Sequence, residues 1–340
     1  MMPWRKPASS KGDESNAPNR VLVIQLGSVA EFVTALGAAK RIRSAHVGAR
    51  ITLLTTETTG ELAEKCPYFD TVEVDGKPKE PQAITKLIAR IRAARYDMIY
   101  DLEGSSRTSS YFQGLRPWPP KWSGPVAGAS HSSLDATRGN LNPLDRLGIQ
   151  LAIAGVSGAD QLQPDLSWVR AALRDPPRLQ PDFFGIRGPY VVVLPRALDT
   201  GANRHWPEKK YLELARRVLH SGVTPVVLGG AEERAVGAAL AKEEPRLKNL
   251  VTRADLFQTI GLCERAAFVV GDDVDTMWVA AAAGASCLVF VSSDQSADQA
   301  APRGKGGVVA FTAEVVADLP VDQVVRQLRN CGVVQHAATA

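Results

Sequence analysis

At 340 residues, 45% of them apolar and 22% charged, the chain has room for two ordinary domains and the composition of a soluble globular protein. A net charge of +4 admits an anionic substrate or a membrane surface but excludes the basic footprint of a nucleic-acid binder. Cys66, Cys263, Cys287 and Cys331 lie far apart with no CxxC spacing, which argues against a zinc site or a disulfide framework and for thiols in a reducing compartment. No apolar run approaches the ~20 residues of a membrane span.

The opening MMPWRKPASSKGDESNAPN (1–19) lacks the apolar core of a signal peptide and reads as a disordered tail, so the expected location is cytoplasmic. RVLVIQLG (20–27) is then a buried strand by its β-branched run, followed by a helix from about Glu31 to Ala45. RITLLTT (50–56), TVEVD (71–75) and DMIYDLEG (97–104) repeat the strand signal. Between the last two, 81–95 has helical spacing, with Ile84, Leu87, Ile88 and Ile91 on one face. Residues 20–163 form the first domain in this reading, and the Pro- and Arg-rich stretch 164–189 connects it to a second. There YVVVLP (190–195), TPVVLGG (224–230), AAFVVGDD (266–273) and SCLVFVSS (286–293) are strands. A helix at 207–222 has Pro in its first turn and Gly at its end. The second domain runs over 190–330 and 331–340 is a tail. Such alternation implies α/β architecture, two Rossmann-like domains with parallel sheets facing a cleft, and ligands at the carboxyl ends of the strands.

Four loops at such ends carry candidate chemistry. QLGSVAEFVTALGA (25–38) lacks GxGxxG, and no GxxxxGK[ST] occurs, so neither a dinucleotide fingerprint nor a P-loop is supported. It does put Glu31 at a helix start, either as a carboxylate favouring the helix dipole or as a general base. PRALDTGANRHWPEKKY (195–211) clusters Arg196, Arg204 and His205 before a helix, which a solvated loop or a bound anion would explain. After Gly229 and Gly230, Glu232 or Glu233 is placed either to hold ribose hydroxyls or simply to begin a helix. In VVGDDVDTMWVAAAAGAS (269–286), Asp273 and Asp275 formally match a DxD motif that would hold Mg²⁺ against a diphosphate. Asp272 and Asp273 read instead as helix caps, Asp273 being the N-cap. No Ser-His-Asp order or HExxH spacing supports a hydrolase.

Together these loops resemble glycosyltransferase family 9, the lipopolysaccharide heptosyltransferase family, over roughly 20–330. RVLVIQLGSVAEFVTALGA is similar to the family's strand followed by Leu-Gly-x-x-Gly-Asp. YDMIYDLEGSSRTS (96–109) is similar to its Tyr-Asp-x-x-Ile-Asp-Leu-x-Gly segment. RHWPEKKYLELARRVLHSGVTPVVLGGAEE resembles the Lys-Arg-Trp-Pro helix and Gly-Gly-x-x-Glu strand end, and VVGDDVDTMW the Gly-Asn-Asp-Thr-Gly-Pro-Met-His segment. The resemblance implies a GT-B fold and inverting transfer that requires no cofactor and no metal. The donor, usually ADP-heptose, is a nucleotide-sugar bound by the second domain. The acceptor, a lipid-linked or core glycan, is bound by the first domain, at the inner face of the inner membrane.

By position the resemblance makes Glu31 the base and Arg196, Arg204, His205, Glu233, Asp273 and Met277 the donor site. Asp101 and Arg107 fall on the acceptor side. The departures cluster on working positions. Glu31 replaces Asp, Ala30 replaces Gly, Arg204 replaces Lys and His205 replaces Arg. Arg196 replaces Gly, and Val274, Asp275, Thr276 and Trp278 replace Thr, Gly, Pro and His. Two readings follow: an active transferase, or a catalytically degenerate relative that serves as a binding or scaffold protein. An NAD-type oxidoreductase lacks its glycine fingerprint.

Overall fold

The computed structural model describes residues 19–134, 141–156, 158, 160–172, 179–196, 205–272, 274–293 and 296–334. In the N-terminal half, β1 (Arg20–Ile24), β2 (Arg50–Leu54), β3 (Thr71–Glu73), β4 (Met98–Asp101), β5 (Lys121–Gly124) and β6 (His131–Ser132) form a parallel sheet ordered β3-β2-β1-β4-β5-β6. Its helices are α1 (Val29–Ala45), α2 (Glu57–Lys65), α3 (Pro81–Ala93), α4 (Ser106–Leu115), α5 (Pro143–Ile153) and α6 (Trp168–Ala172). In the C-terminal half, β7 (Tyr190–Leu194), β8 (Thr224–Val227), β9 (Lys248–Asn249), β10 (Phe268–Asp272), β11 (Cys287–Ser292) and β12 (Val308–Ala313) are ordered β12-β11-β10-β7-β8-β9. Its helices are α7 (Glu208–His220), α8 (Arg234–Glu243), α9 (Leu256–Arg265), α10 (Asp275–Ala282), α11 (Ala297–Ala300) and α12 (Val321–Asn330).

Numbered within its own half, each sheet reads 3-2-1-4-5-6, the doubly wound order. The expected α/β architecture of two Rossmann-like halves is therefore what the chain forms. The order has a consequence for function. Each half reverses direction between its first and fourth strands, so the loops after β1 and β4, and after β7 and β10, border the two crevices.

The central strands β1, β7 and β10 are continuous apolar runs because helices cover both faces, and Val21–Ile24 and Val191–Leu194 are all essentially inaccessible to solvent. On α3, Leu87 and Ile91 are buried, and Ile84 and Ile88 pack beside them, as the spacing predicts.

The Ala-rich helix α10 has no polar face, because both of its sides are covered. Met277, Ala280 and Ala281 pack on the second sheet's core, while Val279 and Ala282 join the core of the first half beside Phe32, Val33 and Leu36 of α1. Small side chains let α10 lie close to both. A second tie lies at α5. Asn142 caps that helix by accepting from the Leu144 N–H at 3.0 Å, and its amide donates to the carbonyls of Asp298 (3.1 Å) and Ala301 (3.0 Å). Arg303 pairs with Asp145 through two bonds of 2.6 and 2.9 Å. All four cysteines are free, and Cys331 alone is exposed. Among the described residues, no helix is long and apolar enough to cross a membrane.

Candidate active site

β1 delivers the first carboxylate. The turn after it is held by Gln25, whose side-chain oxygen accepts the Gly27 N–H at 2.8 Å. α1 starts two residues later than the turn, at Val29, with Ser28 as its cap. Glu31 closes a capping box: its Oε2 accepts the Ser28 N–H at 2.6 Å, while the Ser28 hydroxyl accepts the Glu31 N–H at 3.4 Å. A Cβ at position 27 would run into this carboxylate, which explains the glycine. The helix-start reading of Glu31 is thus correct, and the residue still lines the central cavity.

β4, hydrogen-bonded next to β1, delivers a second carboxylate. The N–H groups of Leu102 and Glu103 both donate to the Ile24 carbonyl, at 3.0 and 3.2 Å. Gly104 takes a left-handed conformation (φ +64°), and its N–H donates to Asp101 Oδ1 at 2.9 Å. So turned, the loop puts the Glu103 carboxylate over the end of β1, where Oε2 accepts the Leu26 N–H at 3.1 Å. Partial burial raises the proton affinity of Glu103, and the charge of Glu31 adds to it; the Leu26 N–H and Lys77 oppose.

Two residues expected on the acceptor side, Asp101 and Arg107, do not line the central cavity. Asp101 is fully buried under this loop, where burial pushes its carboxyl up to about 7; it shapes the loop and does not line the cavity. Arg107 donates to the Pro78 carbonyl at 2.8 Å, outside the central cavity.

In the C-terminal half the organising residue is Asp272, which is inaccessible to solvent. Its Oδ2 accepts the Arg196 N–H (3.0 Å) and the Tyr211 hydroxyl (2.9 Å), and its Oδ1 accepts the Trp206 N–H (3.0 Å). Burial pushes this carboxyl up to about 6, against the pull of those three donors. Asp272 is therefore no helix cap: the α10 cap position belongs to Val274, whose side chain makes no capping bond. It pins both ends of the loop after β7 to the end of β10. The Trp206 indole fixes the far end by donating to the Leu319 carbonyl at 2.9 Å and packing edge-on against Tyr211.

Of the expected donor residues, Arg196, His205, Glu233 and Met277 are described, and none of them lines the central cavity. Arg196 leaves β7 at the crevice, half-buried, and among the described residues its Nε has no hydrogen-bond partner. His205 stands just before the pinned Trp206. The Glu233 carboxylate folds back to accept the Gly230 N–H at 2.8 Å, at the end of β8. Met277 is buried in the core beneath the start of α10, so it supports that loop from below. Arg204 and Asp273 lie outside the described residues. Among the described residues, no three His, Cys, Asp or Glu side chains gather as a metal site.

Between the halves is a cavity of about 650 Å³ whose wall includes Ser28, Glu31, Glu103 and Arg146 from one side and Asp275 and Trp278 from the other. It unites the loops after β1, β4 and β10. A family model described as glycosyltransferase family 9 (heptosyltransferase) matches residues 84–295, well over half of the chain. The chain belongs to glycosyltransferase family 9.

Solved structures of similar shape agree on the fold, which is GT-B. A family 9 glycosyl transferase from Veillonella parvula aligns over 92% of this chain and 97% of its own, with TM-score 0.76 at 13% identity. The E. coli ADP-heptose lps heptosyltransferase II aligns over 92% and 98% (TM-score 0.72, 18% identity). The E. coli heptosyltransferase WaaC with ADP aligns over 92% and 99% (TM-score 0.72, 18% identity). A curated glycosyltransferase-like protein of Haemophilus influenzae is 28% identical over 78 residues, 23% of this chain, and the match spans only 22% of that relative. Sequence reasoning missed Glu103 and Arg146 on the cavity wall. Glu103 was legible as the acid directly after the strand that pairs with β1.

Proposed function

We propose that this protein is an inverting glycosyltransferase of the heptosyltransferase type, moving a sugar from a nucleotide-diphosphate donor, ADP-heptose, to lipopolysaccharide or another cell-envelope glycan. One observation carries the reading: the switch-point loops after β1 and β4 face the start of α10, after β10, across a single cavity, with carboxylates on the N-terminal wall. In this reading Glu31 faces the acceptor hydroxyl and draws off its proton as oxygen attacks the anomeric carbon. Arg196, Arg204, His205 and the N–H groups of the pinned loop receive the departing diphosphate, with Glu233 at the ribose and Asp273 ordering the donor loop. The ADP held by the similar WaaC structure and the ADP-heptose in the name of heptosyltransferase II support the donor. Beside β1–β3 a broader cleft of about 980 Å³ carries Lys77, Lys79 and Lys86, a wall suited to an anionic, lipid-linked acceptor presented at the cytoplasmic face of a membrane.

A second reading, a binding protein without turnover, is favoured by Asp275 and Trp278, which stand on the cavity wall where the family pattern has Gly and His. Calorimetric titration with ADP, UDP and GDP, followed by turnover of ADP-heptose with a lipid A–core acceptor, separates the two. Transfer that falls by ~10²-fold or more in Glu31→Gln, with ADP affinity kept, supports the enzyme. ADP binding without transfer supports the second reading, and absence of both removes the donor assignment.

A further inference from the structure

Glu31 is a constrained base. One of its carboxylate oxygens already accepts the Ser28 N–H at 2.6 Å in a capping box, which leaves the other to meet a proton alone. The residue is exposed, and its carboxylate serves the helix start as well as the cavity. Glu103 is placed differently. It is half-buried on the same cavity wall, accepts the longer 3.1 Å bond from Leu26 as well as a side-chain bond from Ser105, and lies within the field of Glu31.

The loop that presents Glu103 is held by three of its backbone N–H groups and one carbonyl. Two N–H groups bind the Ile24 carbonyl, the Gly104 N–H binds Asp101, and the Asp101 carbonyl takes the Gln150 amide at 2.9 Å. Gly104 cannot be replaced without strain, both because φ is +64° and because a Cβ would strike Pro125. The loop thus carries one acid into the cavity beside another.

We propose that Glu103 is the second catalytic carboxylate of this site: the proton leaving the acceptor hydroxyl is taken up by the Glu31–Glu103 pair and comes to rest on Glu103. The assignment rests on the glycosyl-transfer reading above. The acceptor O–H bond breaks as its oxygen bonds to the anomeric carbon. The bond from that carbon to the diphosphate oxygen breaks, and its electron pair leaves with ADP. The proton remains on Glu103 until solvent removes it after product release. The groups that set its affinity are Glu31 from α1, Lys77 from a neighbouring loop, Ser105 of its own loop and the Leu26 N–H, with Arg146 of α5 and Asp275 of α10 on the facing walls.

The test compares the parent protein with Glu103→Gln and Glu31→Gln; glutamine keeps the acceptor oxygen for Leu26 in one and the capping box in the other. ADP release from ADP-heptose is followed across the acid and neutral pH range, with a lipid A–core acceptor and with water alone. In the parent, kcat/KM should rise through an apparent pKa above the ordinary glutamate value. Glu103→Gln should lose ~10²-fold or more and flatten that rise, with ADP affinity by calorimetry unchanged. Glu31→Gln should move the rise to lower pH, because the like charge that lifts Glu103 is gone. A Glu103→Gln protein with the parent's kcat/KM and pH profile overturns the proposal. Carbon-13 titration of the glutamate carboxylates reads the pair without turnover: a Glu103 signal that titrates identically in the parent and Glu31→Gln also overturns it. Failure of the transfer reading looks different, since the parent itself would then release no ADP from ADP-heptose, whether or not it binds ADP, and the assignment would fall with it.

Discussion

Asp272 offers a quantitative test of how the donor side is built. Its carboxylate receives three donors in a space closed to solvent: the N–H groups of Arg196 and Trp206 and the Tyr211 hydroxyl. Asp272→Asn keeps the shape but turns one acceptor oxygen into an N–H₂ group. The Tyr211 hydroxyl can rotate to accept from the amide. One backbone N–H then has to share the remaining oxygen or go without, at ~1–3 kcal/mol. Against this, asparagine cannot ionise. The parent carboxyl is held at about 6, compared with ~3.9 in an unfolded chain, a difference of ~3 kcal/mol against the buried charge. A folded-state value raised above the unfolded one contributes stability that is complete below ~pH 3.9 and is lost as pH rises through about 6. The parent should therefore exceed Asp272→Asn most at acid pH, and the gap should shrink by up to ~3 kcal/mol on going to neutral pH. Urea unfolding of both proteins at a series of pH values, with m unchanged, measures the gap. A gap constant to within ~0.5 kcal/mol from ~pH 4 to ~pH 7 would refute the account of a buried, ionising pin.

Two further outcomes are expected. Arg204→Ala should weaken ADP binding by ~1.5–3 kcal/mol in calorimetry, the range for a charge-assisted hydrogen bond, and equal affinity would place the anion elsewhere. Asp275→Gly combined with Trp278→His should strengthen nucleotide binding if these two side chains obstruct the donor, and should abolish magnesium-dependent binding if Asp275 shares an ion with Asp273. Opposite signs make one titration, run with and without magnesium, decisive.

Most of the architecture was legible because buried parallel strands write themselves as apolar runs, and the eight runs seen at 20–27, 50–56, 71–75, 97–104, 190–195, 224–230, 266–273 and 286–293 all contain strands. The strands that escaped notice have weak signals for physical reasons. β5 is only Lys-Trp-Ser-Gly, β6 and β9 are two residues each, and β12 is an edge strand with partly exposed faces. The site was legible in its loops but not in its assignments. The resemblance puts Asp101 on the acceptor side, yet the side chain is buried, and that burial depends on how Gln150 of α5 closes over it. Asp272 reads as a cap because acids before helices usually are caps. Only the pairing of β10 with β7 brings the Arg196 and Trp206 N–H groups within its reach.

The same geometry answers why a helix start suited to phosphate should be crowded with acid. Asp272 is buried and its charge is spent on backbone donors, so it does not repel a diphosphate. Asp275, by contrast, stands on the cavity wall with Glu31 and Glu103, and packing of α10 against α1 fixes these acids around one space. If the sugar sits in this cavity, its three carboxylates oppose a diphosphate but favour the cation-like sugar that forms as the diphosphate leaves. Under the transfer reading, acid on the sugar side and arginine on the nucleotide side polarise the bond that breaks. The replacement of Gly by Asp275 and of Gly by Arg196 are then opposite halves of one change in charge, and neither substitution alone should be tolerated as well as the two together. A double-mutant cycle on Asp275→Gly and Arg196→Gly, read in kcat/KM for ADP-heptose, should show a coupling of ~1 kcal/mol or more. Strict additivity would mean that the two charges act on different ligands, and the polarised-bond argument would fail with it.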